Sequence, residues 1–302
     1  MKIMITGGTN GMGKGVAKIL AGLDDHTHEI IILCRSKSLG EATVQELAHV
    51  TSNHTISIVL CDLTKLSDVK KAIQEILQNH SFLDALFINA GLGYAPNRIE
   101  TEDGMDQHFQ VNYLSQFMLT LNLLPLLERS QHGGRVIFNA THYGSIGWDD
   151  LQMKKKWSFE KAIFQAMAAK RMFAVKLHSI YKNSTNVKLS FVNFEISQTV
   201  WTNQIAIIPS FMRAMATIVK WFGGFISIYR CGEIMAPLFT EKQEESLKRS
   251  GKLITWKKGR FVELTENDTV VNQESINRLW DISLELCKDE KTREFASKIN
   301  HR

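Results

Sequence analysis

The first thirteen residues, M-K-I-M-I-T-G-G-T-N-G-M-G, constrain the fold more than any other stretch of this chain. An apolar run at residues 3–5 ends at Thr6, glycines follow at positions 7, 11 and 13, and a helical apolar pattern begins after Lys14. Without a Cβ, a glycine lets a pyrophosphate approach the backbone N–H groups, and the N-terminus of a helix attracts phosphates. We therefore predict a strand, a glycine turn and a helix that bind a dinucleotide; a tight turn without a ligand is the alternative.

Five further apolar runs indicate strands, and a helical pattern separates each from the next. They cover residues 29–34, 56–60, 85–88, 135–139 and 187–193. Glu29–Cys34 is apolar without alternation, as parallel strands covered on both faces are. Strands that alternate with helices predict an α/β fold of the Rossmann type, a doubly wound parallel sheet with helices on both faces. We expect one domain, residues 1–302.

The predicted helices lie at residues 40–50, 105–127 and 159–181, with later ones at 233–248 and 277–286, and Val69, Ile73, Ile76 and Leu77 indicate another between the third and fourth strands. Residues 201–229, which precede the helix at 233–248, are rich in Ile, Phe, Met and Trp and also carry cations. This composition predicts one or two amphipathic helices. We expect residues 200–250 to form a helical lid over an apolar small-molecule substrate. Packing in the core, a homodimer contact and docking on a membrane surface are the alternatives.

Composition narrows the class of protein further. The net charge is +5, and basic residues are interspersed with acidic ones, so nucleic acid is not an expected partner. The four cysteines are far apart and predict neither a zinc site nor a disulfide framework. The first strand begins at residue 2 and no apolar run reaches eighteen residues. We therefore expect a cytoplasmic protein without a signal peptide or a spanning helix.

The end of the second strand bears on the choice of dinucleotide. In dinucleotide-binding folds an acidic residue at this position binds the ribose 2′-OH, whereas an arginine accepts a 2′-phosphate. Here Cys34 is followed by Arg35, and no Asp or Glu is present at the strand end. The sequence therefore favours NADP(H) as the cofactor, with a solvated arginine as the alternative.

Several ordered motifs resemble the short-chain dehydrogenase/reductase superfamily, and within it the retinol-dehydrogenase-like group. The resemblance covers nearly the whole chain. It rests on T-G-G-T-N-G-M-G at 6–13, C-D-L at 61–63, N-A-G at 89–91, D-G-M-D-Q-H-F-Q-V-N-Y-L at 103–114, D-D-L-Q at 149–152, S-G-K at 250–252 and L-W-D-I-S at 279–283.

The resemblance implies a set of residues that line the cofactor cleft. Asp62 is expected to contact the adenine ring, and Thr199 the nicotinamide carboxamide. With the glycine motif and Arg35, the full predicted set is Gly7, Thr9, Asn10, Gly11, Met12, Gly13, Arg35, Asp62, Leu63, Asn89, Ala90, Gly91 and Thr199.

The catalytic residues that the resemblance implies are a Ser, a Tyr and a Lys with a supporting Asn. The Ser position is taken by Thr141, and Asn112 is retained, either as part of a proton relay or as the cap of a helix bend. No Y-x-x-x-K pair follows the fifth strand. An alignment without a gap puts Ile163 at the Tyr position and Met167 at the Lys position.

A shifted alignment retains Lys170 as the lysine and puts Ala166 at the tyrosine, so the tyrosine is missing in either case. The family's Pro-Gly turn after the sixth strand is replaced by Phe194-Glu195. Candidate replacement acids or bases are His142, Tyr143, Glu195 and Tyr94, with a surface residue as the alternative.

Without the tyrosine, reduction of a carbonyl would leave an alkoxide in an apolar pocket. When no charge compensates it, this costs on the order of several kcal/mol. Three functions remain open. The protein reduces an activated C=C or C=N bond with NADPH, or it catalyses a redox-neutral cyclisation, isomerisation or dehydration, or it binds the nucleotide without catalysis.

Overall fold

The computed structural model describes residues 1–23, 27–202, 210–221 and 224–300. Within these residues the strands, in chain order, are β1 (Lys2–Thr6), β2 (Glu29–Cys34), β3 (Ile56–Leu60), β4 (Ala85–Ile88), β5 (Arg135–Asn139), β6 (Ser190–Glu195), β7 (Thr199–Val200), β8 (Phe225–Ile226), β9 (Leu253–Lys257) and β10 (Arg260–Leu264). All except β7 and β8 form one sheet, in the order β10-β9-β6-β5-β4-β1-β2-β3. Neighbouring strands are parallel except for the β9–β10 hairpin.

Helices pack on both faces of this sheet. They are α1 (Gly11–Ala21), α2 (Lys37–Thr51), α3 (Leu66–Asn79), α4 (Gln107–Phe109), α5 (Ser115–Leu127), α6 (Phe159–Tyr181), α7 (Ser210–Trp221), α8 (Ile228–Thr240), α9 (Gln243–Arg249), α10 (Asp268–Val271), α11 (Gln273–Cys287) and α12 (Glu290–Asn300). A π-helical turn, Gln110–Leu114, joins α4 to α5. The predicted doubly wound α/β fold is confirmed.

Two apolar cores hold the layers together, one on each face of the sheet. Successive residues of a strand point to opposite faces, so Met4 belongs to one core and Ile3 and Ile5 to the other. The first core includes side chains of α3, α5, α6 and α11, and the second those of α1 and α8. Because β1 and its neighbours are covered on both sides, their continuous apolar runs are fully buried.

Three details of the sequence prediction were wrong. The sixth strand is Ser190–Glu195, so Phe194 and Glu195 lie in the strand rather than in a turn. Neither residue is a Pro or Gly, and both pair with β9, Phe194 with Ile254 and Glu195 with Thr255. The helix predicted at 233–248 is two helices, α8 and α9. The predicted helix at 105–127 is interrupted by the π-helical turn.

The β9–β10 hairpin was not predicted. Its turn consists of Lys258 and Gly259, which have φ angles of 51° and 77°. Positive φ at both central residues is the geometry that suits the twist of a two-residue hairpin. The hairpin extends the sheet beyond β6 and fixes the end of that strand.

The predicted lid region, residues 200–250, contains β8, α7, α8 and α9, while residues 203–209 and 222–223 lie outside the described part. Helix α8 packs tightly on α1. A Cβ built on Gly15 would lie 1.9 Å from the carbonyl oxygen of Ile228, and one on Gly232 would lie 2.4 Å from the carbonyl oxygen of Gly15. The start of this region is thus next to the glycine turn: a Cβ on Gly11 would contact Thr202.

Across the part of the chain that the structure describes, no helix combines the length and apolar character that crossing a membrane requires.

Candidate functional site

The turn between β1 and α1 has the backbone geometry of a phosphate cradle. Gly7 and Gly11 have φ angles of 70° and 56°, which residues with a side chain rarely adopt. A Cβ on Gly13 would lie 2.4 Å from the carbonyl oxygen of Gly7. Asn10 caps α1 and accepts a hydrogen bond from the Gly11 N–H at 2.7 Å. The first turn of α1 contains no acidic residue, so the positive end of the helix is available to an anion.

The N-A-G stretch after β4 is hydrogen-bonded to this turn. Asn89 Nδ2 donates to the carbonyl oxygens of Thr6, at 3.0 Å, and Gly7, at 3.3 Å. In return, Thr6 Oγ1 accepts from the backbone N–H groups of Asn89 and Ala90, at 2.9 and 3.0 Å. The carboxyl ends of β1 and β4 therefore form one rigid edge, the place where open α/β sheets bind ligands.

The ends of β2 and β3 supply the remaining predicted contacts. Arg35 is exposed, and its guanidinium makes no ion pair or hydrogen bond within the described residues. Asp62 accepts hydrogen bonds from Thr64 through Oδ1, and Leu63 is buried beside it. The side chain of Thr199 lies outside the described part of the chain. Taken with the cradle, an uncommitted arginine at this edge fits a dinucleotide that carries a 2′-phosphate.

Asn112 lies in the π-helical turn, on the same edge of the sheet. Its Oδ1 accepts from the Leu92 N–H at 2.7 Å, and its Nδ2 donates to the Leu92 carbonyl at 3.4 Å. It is completely buried, and a Cβ on Gly91 would lie 3.3 Å from its Oδ1. π-helical turns occur frequently at functional sites. This one turns Asn112 to hold the loop after N-A-G.

Helix α6 carries the residues that the two alignments put at the family's Tyr and Lys positions. They are Ile163 and Met167 in one alignment, and Ala166 and Lys170 in the other. Ile163 is half-buried, and Ala166, Met167 and Lys170 are buried. Lys170 Nζ donates to the carbonyl oxygen of Asn139, the last residue of β5, at 3.0 Å. Burial lowers the pKa of the Lys170 amine to about 7. Asn139 Nδ2 donates in turn to Asn89 Oδ1 at 3.4 Å, which links the lysine to the cofactor edge.

The loop after β5 carries the other predicted catalytic residues. Thr141 Oγ1 is buried and has no hydrogen-bond partner within the described residues. His142 Nδ1 lies 2.8 Å from both carboxylate oxygens of Glu195, and its backbone N–H donates to Glu195 Oε2 at 2.8 Å. Tyr143 is 57% exposed, and its ring lies against that of His142 with centroids 3.7 Å apart. The structure therefore joins His142 to Glu195, a pair that sequence reasoning named only as separate candidates.

Sequence reasoning missed the ion pair that anchors this loop. Arg171 is fully buried, forms a salt bridge with Glu266 and donates from Nη2 to the carbonyl oxygen of Tyr143 at 3.1 Å. Burial lowers the pKa of Arg171, whereas it raises the pKa of Glu266. The only signal in the sequence was a charged residue on the apolar face of α6. Its partner lies 95 residues away, so no local pattern could identify the pair.

Comparison with known proteins gives the family. The sequence model of the short chain dehydrogenase family matches residues 1–153. The chain belongs to this family, and its relatives place it in the retinol-dehydrogenase-like group, as the motifs predicted. It is an oxidoreductase-like protein with an NAD(P)-binding fold.

Among curated relatives, human polyprenol dehydrogenase is 33% identical over 183 residues, which are 59% of this chain and 54% of that protein. Mouse retinol dehydrogenase 14 is 29% identical over 231 residues, which are 72% of this chain and 67% of that protein. The chain thus spans about half the length of the polyprenol dehydrogenase that it matches.

Solved structures confirm the fold alone. An uncharacterized protein of Mycobacterium paratuberculosis superposes with a TM-score of 0.67 at 20% identity, over 96% of this chain and 94% of that one. A Pseudomonas aeruginosa protein, titled as the RhlG/NADP active-site complex, gives 0.63 at 19% identity, over 85% and 95%.

Proposed function

We propose that this protein binds NADP(H) and reduces an activated C=C or C=N bond in an apolar small molecule. One observation carries the proposal. The turn after β1 has the geometry of a phosphate cradle, while both alignments put an apolar residue, Ile163 or Ala166, where the family has its tyrosine. Hydride addition to a conjugated C=C bond gives a delocalised enolate, and addition to an iminium gives a neutral amine. Neither product demands a tyrosine that protonates an alkoxide.

NADP(H) is favoured over NAD(H) by Arg35. Its guanidinium is exposed at the carboxyl end of β2 and makes no contact with an acidic group in the described residues. A 2′-phosphate would provide the bidentate partner that a guanidinium prefers. When bound, NADPH supplies the hydride, and the cradle formed by Gly7, Gly11 and Gly13 holds its pyrophosphate.

Lys170 has a role in this proposal that differs from the family's. Its contact with Asn139, the last residue of β5, supports the inference that it occupies the lysine position, with Ala166 one turn earlier. The family's lysine lowers the pKa of a tyrosine, and that tyrosine is absent. The Lys170 amine instead holds the end of β5 through the Asn139 carbonyl oxygen, two residues before Thr141.

The expected substrate is apolar. Aromatic side chains meet where α6 begins: Tyr94 and Phe159 have ring centroids 5.3 Å apart, and His108 lies 5.7 Å from Phe159. A cavity of about 260 Å³ also opens beside Asn10, lined by Trp201, Phe225 and their neighbours. Two relatives are named for polyprenol and retinol, both apolar alcohols, which agrees with this expectation.

The region 200–250 is proposed to close over that substrate. Helix α7 exposes Met215, Ile218 and Trp221 to solvent, by 62%, 57% and 85%. An exposed apolar surface of this kind is typical of a binding site. Substrate is the occupant we favour, while peripheral membrane contact and a homodimer contact remain the alternatives, which vesicle sedimentation and analytical ultracentrifugation would detect.

A redox-neutral reaction is the second candidate. The His142–Glu195 pair favours it, because a carboxylate-bound imidazole can move a proton without any hydride transfer. In this case the cleft orients a reactive substrate, and product forms while NADPH is not consumed.

The test is NADPH consumption, followed at its near-ultraviolet absorbance band, with an enone, an iminium and a simple ketone as substrates. We expect turnover with the first two, little with the ketone, and loss of turnover in Thr141→Ala. Product formation without a change in absorbance would favour the redox-neutral reaction. Failure to bind NADPH in calorimetry would exclude both.

A further inference from the structure

The His142–Glu195 pair is built across two neighbouring strands. Strands β5 and β6 are parallel, with Asn139 opposite Phe194, so their carboxyl ends reach the same edge of the sheet. Glu195 is the last residue of β6, and His142 follows β5 by three residues. The carboxylate accepts from both the imidazole Nδ1 and the backbone N–H of His142, each at 2.8 Å. Two contacts at one carboxylate fix both the loop and the ring.

This contact determines which imidazole nitrogen is free. A carboxylate accepts hydrogen bonds, so Nδ1 must carry the proton that points at Glu195. Nε2 is then the nitrogen that gains and loses a proton, and it makes no hydrogen bond within the described residues. The side chain of His142 is 42% exposed, whereas that of Glu195 is only 15% exposed. The ring can therefore recover a proton from solvent while its orientation is maintained.

Other charged and titratable groups surround the pair. The Tyr143 ring lies against His142, and Arg171 of α6 holds the carbonyl of Tyr143 and is paired with Glu266. Lys170 donates to the strand end that precedes the loop. Glu195 interacts electrostatically with Arg171 and with Glu266 as well as with the imidazole.

We propose that His142, positioned by Glu195, is the general acid that takes over the role of the missing tyrosine. The proposal rests on the proposed function and narrows its substrate to an α,β-unsaturated carbonyl compound, since an iminium would need no proton. Hydride from NADPH reduces the β-carbon of the C=C bond, and the electron pair moves onto the carbonyl as an enolate. His142 Nε2–H then transfers its proton to the α-carbon, and the neutral imidazole is reprotonated from water.

The experiment compares His142→Gln and Glu195→Gln with His54→Gln, an exposed histidine remote from the loop. With saturating NADPH and an enone, we expect turnover to fall on the order of 10²-fold in H142Q, the lower range for loss of a general acid. E195Q should lose less, about tenfold, and H54Q nothing. Turnover of the wild type should decrease as pH rises, because the acid form is lost, and this dependence should be absent in H142Q.

A second measurement does not depend on turnover. Side-chain ¹⁵N NMR of the wild type should show neutral His142 as the Nδ1–H tautomer, and E195Q should lose that preference. Calorimetry should give unchanged NADPH binding in both variants, which shows that they are folded.

The outcomes separate the two levels of the proposal. If the wild type binds NADPH and reduces neither enones nor iminiums, the proposed function fails and the acid role with it; if it reduces iminiums alone, only the acid role is overturned. If H142Q reduces enones at the wild-type rate and with the wild-type pH dependence, only the acid role is overturned. The same conclusion follows if neutral His142 carries its proton on Nε2.

Discussion

The two ends of the candidate cleft differ in how closely they follow the family. At the end formed by β1 and β4, glycines, Thr6 and Asn89 form a mutually hydrogen-bonded cradle. At the end formed by β5, β6 and α6, the tyrosine is missing, Lys170 is buried against Asn139, and a histidine–glutamate pair is present. The difference underlies the proposed function, in which the cradle binds the dinucleotide while the chemistry at the other end departs from that of the family, since function depends on the site rather than on the fold.

The largest expected effect concerns Lys170, at the end that departs from the family. Its pKa is about 7 in the folded protein and 10.5 in its ordinary state, so the unfolded chain binds its proton more tightly. The wild type should therefore gain stability relative to Lys170→Met as pH rises between these two values, by about 1.4 kcal/mol per pH unit and about 5 kcal/mol in all. Below pH 7 the difference should be constant.

Denaturant unfolding at several pH values measures this difference. Lys161→Met is the matched control, because Lys161 is an exposed lysine on the same helix. A difference between wild type and K170M that does not vary with pH would show that Lys170 is not held in an apolar environment.

The second effect tests the cradle. In Gly13→Ala the new Cβ would lie 2.4 Å from the Gly7 carbonyl oxygen and 2.6 Å from Asn89 Nδ2, both parts of the cradle. We expect the free energy of unfolding to fall by about 2 kcal/mol, as for other overpacked sites. NADPH binding should weaken by about tenfold or more. Gly22→Ala, at the other end of α1, has its nearest neighbour at 3.5 Å and should change neither quantity. Equal affinities for the two variants would contradict the cradle.

The third effect tests cofactor selectivity. Arg35→Ala removes the guanidinium at the end of β2, and a charge-assisted contact is worth about 1.5 kcal/mol or more. Calorimetry should therefore show about tenfold weaker NADPH binding and unchanged NADH binding. Arg260→Ala, an exposed arginine on β10, should alter neither. If R35A weakens NADH equally, Arg35 does not recognise the 2′-phosphate.

The smallest effect concerns Asn112, which lies between the two ends of the candidate cleft. Asn112→Ala would leave the Leu92 N–H without its acceptor, a loss of about 1 kcal/mol in the free energy of unfolding. Asn122→Ala, further along α5, also loses two hydrogen bonds, to Met118 and Thr292. Only N112A should also weaken NADPH binding, because only Asn112 supports the loop after N-A-G. Equal binding by both variants would leave Asn112 as a structural residue alone.

Much of the cradle end could be predicted from the sequence. The bounds of β2, β3, β4 and β5 agree with the predicted runs, because each is a buried apolar segment between polar turns. The glycine turn was predictable because the backbone itself requires glycine at positions 7 and 11, where φ is positive. The family resemblance was then confirmed by the match over residues 1–153.

The other end could not be predicted in the same way, since its contacts join residues far apart in the chain. Helical periodicity allows either Met167 or Lys170 at the lysine position, and the contact of Lys170 with Asn139 is the observation from which we infer the second. Phe194-Glu195 was assigned to a turn by analogy, but pairing with the unpredicted hairpin extends β6 through both residues. The pairing of His142 with Glu195 depends on that extension. The assignment of Thr141 to the family's Ser position stays a prediction, and so does the choice between the Ile163/Met167 and the Ala166/Lys170 alignments.

One measurement tests the central claim that the cradle has been retained for NADP(H) while the chemistry has changed. It is a calorimetric titration of the wild-type protein with NADPH, followed by addition of an enone and, separately, a ketone to the complex. The account predicts saturable one-to-one binding, with NADPH consumed by the enone and not by the ketone. Absence of binding, or faster consumption with the ketone, would contradict it.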